Sequence, residues 1–266
     1  MIRHTVLWTP TKRLSLLFLF SSLAAITGTA AGEGQVIIGA GSQLDTGSGQ
    51  VELGCASLTV AGLAAGHLTG IENVELTSSA ILETTELDFG GNWTAATFQE
   101  VPGEVHWREQ CDRTEGSLLG DNRFASLSVT TNSGVLRRLD ADGEQTVTES
   151  LRLIGGERPL MLRSTVAGQA ARLTVTVPAT WSIQSVDVAD INSSGGQGLA
   201  PGDPANFRSQ DSGGNSNWFL GAVALPIPLL GWPGLLLLFL TTLAIGWRRL
   251  AVGSLTSKTL QDSYHG

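Results

Sequence analysis

Lysine is missing from the middle of this 266-residue chain: residues 32–218 contain ten basic residues, and all ten are Arg. Without lysine that segment can host neither a phosphate-loop lysine nor a Schiff-base lysine, which excludes two large enzyme classes. The ten Arg face 23 acidic residues there, a net charge of -13. Such a segment offers no footprint for a phosphate backbone, so nucleic acid is not an expected partner. Neither G-x-S-x-G nor H-E-x-x-H occurs, so no nucleophile elbow or zincin helix is expected. A sustained helical period is also absent from the middle.

The other basic residues sit at the ends: Arg3, Lys12 and Arg13 at the start, and Arg248, Arg249 and Lys258 near the finish. Residues 1–30 read as a signal peptide, with those first three cations, an apolar run over 14–26 and the small residues Gly28-Thr29-Ala30-Ala31. Cleavage after Ala30 or Ala31 would leave the mature chain exported. Residues 218–247 carry no charge, and the stretch from Leu229 approaches the ~20 apolar residues that cross a bilayer. Arg248-Arg249 favours the cytoplasmic side, so the acidic middle would face outward. Pro226, Pro228 and Pro233 lie at the entry of the span, where a missing amide donor disturbs helix bonding least. The chain thus divides into a signal peptide (1–30), an acidic domain (31–218), a Pro-containing linker (219–233), a membrane helix with its basic cluster (234–250) and a cytoplasmic tail (251–266).

Ile227-Pro228-Leu229-Leu230-Gly231-Trp232-Pro233-Gly234, the Leu-rich span and Arg248-Arg249-Leu250 together resemble C-terminal protein-sorting segments of Gram-negative bacteria. These are the IPTL-CTERM type and its relatives in the PEP-CTERM group. The resemblance implies that Ile227, Pro228, Trp232, Arg248 and Arg249 belong to a sorting signal. It further implies that the partners include the membrane, the export machinery and a sorting or processing enzyme, with the protein anchored in the envelope before any processing.

In the acidic domain one pattern recurs, an apolar, a polar and an apolar residue. Examples are Val51-Glu52-Leu53, Leu58-Thr59-Val60, Val74-Glu75-Leu76, Leu87-Asp88-Phe89, Val105-His106-Trp107, Leu127-Ser128-Val129, Leu151-Arg152-Leu153, Leu173-Thr174-Val175 and Val186-Asp187-Val188. Period-two alternation makes each triplet a short half-buried strand. Clusters such as Asp45-Thr46-Gly47-Ser48-Gly49 and Asp140-Ala141-Asp142-Gly143 supply turns. The fold class is all-β. A parallel β-solenoid explains the brevity of the triplets, their repetition and the abundance of glycine; a β-sandwich, recognisable by antiparallel pairing, is the alternative. The runs Gly91-Asn92-Trp93, Thr97-Phe98, Val105-His106-Trp107 and Gly120-Asp121-Asn122-Arg123-Phe124-Ala125-Ser126-Leu127-Ser128-Val129 resemble right-handed β-helix surface proteins of bacteria. Val186-Asp187-Val188-Ala189-Asp190-Ile191-Asn192 and Asp211-Ser212-Gly213-Gly214-Asn215-Ser216-Asn217-Trp218 extend that likeness. It implies a surface location and a right-handed parallel coil, not a reaction.

Export into an oxidising compartment predicts a Cys55–Cys111 disulfide, contributing roughly 3–4 kcal/mol in the chain-entropy model. His106 has Glu104, Glu109, Cys111 and Asp112 nearby, but lacks the paired ligand spacing of a zinc site, and its strand position points it to solvent. No metal, cofactor or catalytic residue is therefore assigned. Asp187, Asp190, Asn192, Asp203, Asp211 and Asn215 offer hard oxygen ligands without calcium-loop spacing, so turn and cap roles are expected and weak calcium binding is the alternative. Trp93, Trp107, Trp181 and Trp218 suit either sugar stacking or the core, with the core the commoner use. Asn92-Trp93-Thr94 and Asn192-Ser193-Ser194 fit glycosylation sequons, which mean little in a bacterial exported chain. The sequence thus predicts an exported, envelope-anchored surface protein with a structural or adhesive role, its ligand a polysaccharide or another cell-surface group. The alternatives are a carbohydrate-binding module or a polysaccharide lyase or hydrolase, which needs carboxylates plus an Arg or a metal converging in one groove.

Overall fold

A computed structural model describes residues 34–220. The expected signal peptide and membrane helix, and the expected sorting residues Ile227, Pro228, Trp232, Arg248 and Arg249, lie outside the described residues. Among the described residues no helix is long and apolar enough to cross a membrane.

The chain winds as a parallel β-solenoid of about eight turns. Strand β1 (Gln35–Ile38) lies beside β2 (Gln43–Val60), which makes the first full turn alone, as β3 (Leu63–Leu76) makes the second. The third turn is β4 (Ile81–Phe89) and β5 (Trp93–Ala95), and the fourth is β6 (Gln99–Trp107) and β7 (Glu115–Leu119). The fifth is β8 (Asn122–Thr131) and β9 (Leu136–Leu139), and the sixth is β10 (Glu144–Gly155) and β11 (Leu160–Ser164). The seventh splits into β12 (Ala171–Val175), β13 (Thr180–Gln184) and β14 (Val186–Ala189). The eighth holds β15 (Ile191–Asn192), a 3-10 turn over Pro204–Phe207 and β16 (Gln210–Asp211). Every pairing between these strands is parallel, which removes the β-sandwich alternative.

Each turn contributes three paired stretches, so like residues stack in columns. On the first ladder Val101, Phe124, Val147 and Val175 follow one another inward. On the second, Leu68, Leu87, Val105, Leu127 and Leu151 form one column, and Ile71, Phe89, Trp107, Val129, Leu153 and Ile183 the next. On the third, Val36, Leu58, Val74, Trp93, Leu118 and Leu139 align. Nearly all of these side chains are buried, each stabilising the fold by about 1.5–3 kcal/mol. The Phe89 ring stacks on Trp107 with centroids 5.5 Å apart, and Phe124 meets Trp93 edge-on at 5.6 Å. Trp93, Trp107 and Trp218 are core residues, and Trp181 packs edge-on against Phe207 at 6.1 Å. These rings hold the interior rather than lining a sugar path.

Polar residues enter the core where the chain turns from one ladder to the next. Gln99, Asn122 and Gln145 stack there in register, all buried. Asn122 accepts a bond from Trp93 Nε1 at 2.8 Å and donates to Gln145 Oε1 at 2.9 Å, while Gln145 donates to Gly120 O at 2.8 Å. This ladder leaves the buried amides paired.

Candidate functional site

The second ladder positions the one cluster among the described residues in which His and carboxylate groups gather closely enough to hold a cation. Leu87 and Phe89 of β4, and Val105 and Trp107 of β6, point inward, so the intervening Asp88 and His106 point outward. Parallel pairing places Asp88 beside His106, and it places His67, Glu86 and Glu104 in a neighbouring outward column. Parallel strands lie ~4.8 Å apart, so long polar side chains on successive turns must touch.

Both imidazoles meet the same carboxylate. His67 Nε2 is 3.3 Å from one oxygen of Glu86, and His106 Nε2 is 3.3 Å from the other. His106 Nε2 also lies 3.6 Å from Glu104. Arg108 Nη1 is 3.2 Å from Asp88 Oδ2, and its Nη2 is 3.8 Å from Glu86. The expectation that His106 simply faces solvent is corrected: it is 9% exposed, covered by its neighbours in the ladder. Asp88 is 7% exposed, and its Oδ1 is buried with no hydrogen-bond partner. Burial pushes the Asp88 carboxyl above its usual range, with the Glu86 charge acting in the same sense; Arg108, then His106 and His67, oppose it.

The other groups near His106 in sequence go elsewhere. Cys111 is bonded to Cys55, with Cα atoms 5.4 Å apart. Residues 108–114 therefore fold back along the corner from the fourth turn to the first. Gln110 Nε2 donates to Ile71 O at 3.0 Å and Arg113 pairs with Glu72, while Gly90 leaves the space through which Gln110 passes. Glu109 holds the strap from the other side. Its Oε2 accepts from Thr131 Oγ1 at 2.9 Å, Asn132 N at 2.9 Å and Ser133 N at 3.0 Å, and its Oε1 accepts from Ser133 Oγ. These bonds lower its pKa to about 2, the Ser133 hydroxyl contributing most. Beneath the strap a depression of about 700 Å³ runs from Arg108 to Thr114 and along Thr130–Asn132, and among the cluster residues it reaches only Arg108.

Of the candidate calcium residues, Asn192, Asp203 and Asp211 serve as local turn and cap groups, whereas Asp187, Asp190 and Asn215 bond to the neighbouring turn of the solenoid. Asp187 accepts from Arg163 at 2.7 Å and Ser212 at 2.6 Å, Asp190 from Gly168 N at 2.9 Å, and Asp203 from Ala205 N at 2.9 Å. Asn192 accepts from Ser194 N at 2.9 Å, Asp211 from Gly213 N at 2.9 Å, and Asn215 from Ile191 N at 2.9 Å.

Sequence reasoning missed His67, Glu86, Asp88 and Arg108. The available signal was the triplets themselves: superposing Leu87-Asp88-Phe89 on Val105-His106-Trp107 aligns Asp88 with His106, and Glu86 with Glu104 two residues earlier. Chemically, the cluster can bind a cation, relay a proton or anchor a guanidinium. No family model matches the chain, and no characterised protein or solved structure matches it.

Proposed function

We propose that the chain is an exported, envelope-anchored surface protein whose acidic solenoid serves a structural or adhesive role, with the C-terminal segment as its sorting signal. The observation that supports this best is the stacking of the acidic domain into regular parallel turns. Such a scaffold presents the same residue column turn after turn, which suits repeated contacts with a polymer or a neighbouring cell surface. In this reading the coil is right-handed, the sense that parallel crossovers adopt. Cell fractionation with mass spectrometry of the mature protein tests it. The expected result is a chain starting near residue 31 in the envelope or the medium, sensitive to protease added to whole cells. Recovery of unprocessed chain in the cytoplasm would overturn the reading.

A second reading, a carbohydrate-active enzyme, draws support from Glu86, Asp88, His106 and Arg108 converging from adjacent turns. Incubation with acidic and neutral polysaccharides decides it: depolymerisation that is lost in Glu86→Gln would establish the enzyme, and intact polymers would leave the scaffold reading standing.

A further inference from the structure

The His67–Glu86–Asp88–His106 cluster has more negative charge than its own cations balance. Glu86, Asp88 and Glu104 surround it as carboxylates, and Arg108 is the permanent cation that the structure places against it. With neutral imidazoles the deficit is two charges, the charge of one divalent ion. The buried Oδ1 of Asp88 lacks any hydrogen-bond partner. A buried acceptor on a side chain 7% exposed is costly unless something fills its lone pairs.

The geometry is already near that of coordination. Ligand atoms of Glu86, Asp88 and His106 lie within 4.8 Å of one another. His106 Nε2 is 3.3 Å from a Glu86 oxygen. Two ligands on a tetrahedral ion with bonds of about 2.0–2.1 Å are separated by about 3.3–3.4 Å. Imidazole nitrogen with carboxylate oxygen is a donor set for zinc and its neighbours, whereas calcium and magnesium take oxygen alone.

We propose that this cluster is a binding site for a divalent transition-metal ion of the zinc class, held by His106, Glu86 and Asp88, with the fourth position left to water. Arg108 is its competitor. The guanidinium occupies the charge well of Asp88 and Glu86, yet its side chain is 45% exposed and can swing into solvent when an ion enters.

Titration of the full chain in detergent with Zn2+, followed by calorimetry, and with Co2+, followed by visible absorption, tests the proposal. The expected result is one equivalent bound with a dissociation constant below about 10 µM, and a tetrahedral Co2+ spectrum. His106→Ala and Glu86→Gln weaken Zn2+ binding about 10–100-fold. Arg108→Gln tightens it several-fold, a gain that a folding defect would not produce. Ca2+ and Mg2+ do not compete. Failure to bind Zn2+, binding untouched by His106→Ala and Glu86→Gln, or weaker binding in Arg108→Gln would each overturn the proposal.

Discussion

The guanidinium of Arg137 is fully buried and is held by backbone carbonyls. Nη1 donates to Gly90 O and Nη2 to Arg108 O, both at 2.8 Å, and the group lies 4.7 Å from the centre of the Trp107 ring. Burial lowers its pKa to about 10, with the Glu109 charge opposing, so it remains protonated at neutral pH. In Arg137→Met two buried carbonyls lose their donors, at a cost of about 3 kcal/mol. The melting temperature followed by circular dichroism should fall by about 6–12 °C, and a change below about 2 °C would contradict this account. Arg137→Lys restores little, because a single ammonium cannot reach two carbonyls on different turns in the fork geometry. Glu109 gives a pH prediction of definite sign. Its folded pKa of about 2 lies below the ordinary glutamate value of 4.5, so its contribution is present above pH 4.5 and is lost as pH falls toward 2. Melting curves of wild type and Glu109→Gln should differ at pH 6 and converge near pH 2, and parallel curves across that range would refute the linkage. Neither residue could be singled out from sequence, since Leu136-Arg137-Arg138-Leu139 does not say which arginine turns inward.

Element by element, the apolar-polar-apolar triplets were legible as strands. Leu87-Asp88-Phe89, Val105-His106-Trp107, Leu127-Ser128-Val129 and Leu151-Arg152-Leu153 stack in register on the second ladder. Leu58-Thr59-Val60 and Val74-Glu75-Leu76 stack on the third, and Leu173-Thr174-Val175 on the first. The uneven spacing between triplets therefore reflects stepping from ladder to ladder as well as from turn to turn. The register shift at Gly66/His67 between β3 and β4 sets His67 opposite Glu86, and no local pattern encodes it, so the His67–Glu86–His106 grouping stayed hidden. Gly116 was equally silent. A Cβ there would lie 2.2 Å from Gly91 O and 2.9 Å from Arg137 Nη1, so the arginine reaches its carbonyls only across a residue with no side chain. Gly116→Ala should destabilise more than Arg137→Met, because the added methyl strikes the Gly91 carbonyl as well as the guanidinium, and the double variant should cost less than the sum of the two because the guanidinium contact is shared. Additive losses in chemical denaturation would separate the two residues.

For the whole molecule, a solenoid is close to one-dimensional: each turn is stabilised mainly by its two neighbours, so opening starts at an end. The Cys55–Cys111 bond ties the first turn to the fourth, and the strap over residues 108–114 covers the corner between them. Beyond Gly155 no described cross-link holds the turns, and the strands β12 to β16 are only two to five residues long. Native-state hydrogen exchange of the oxidised protein should therefore show a gradient, with amides of residues 171–211 exchanging through smaller openings than those of residues 58–155. Reduction removes roughly 3–4 kcal/mol from the first four turns, which should raise exchange there and lower the melting temperature by about 10 °C. The later turns should keep their own rates, since they border the strapped segment only through the fifth turn, β8 and β9. Uniform exchange at one global rate, before and after reduction, would mean that the turns unfold as a single cooperative unit and that the strap stabilises all of them alike.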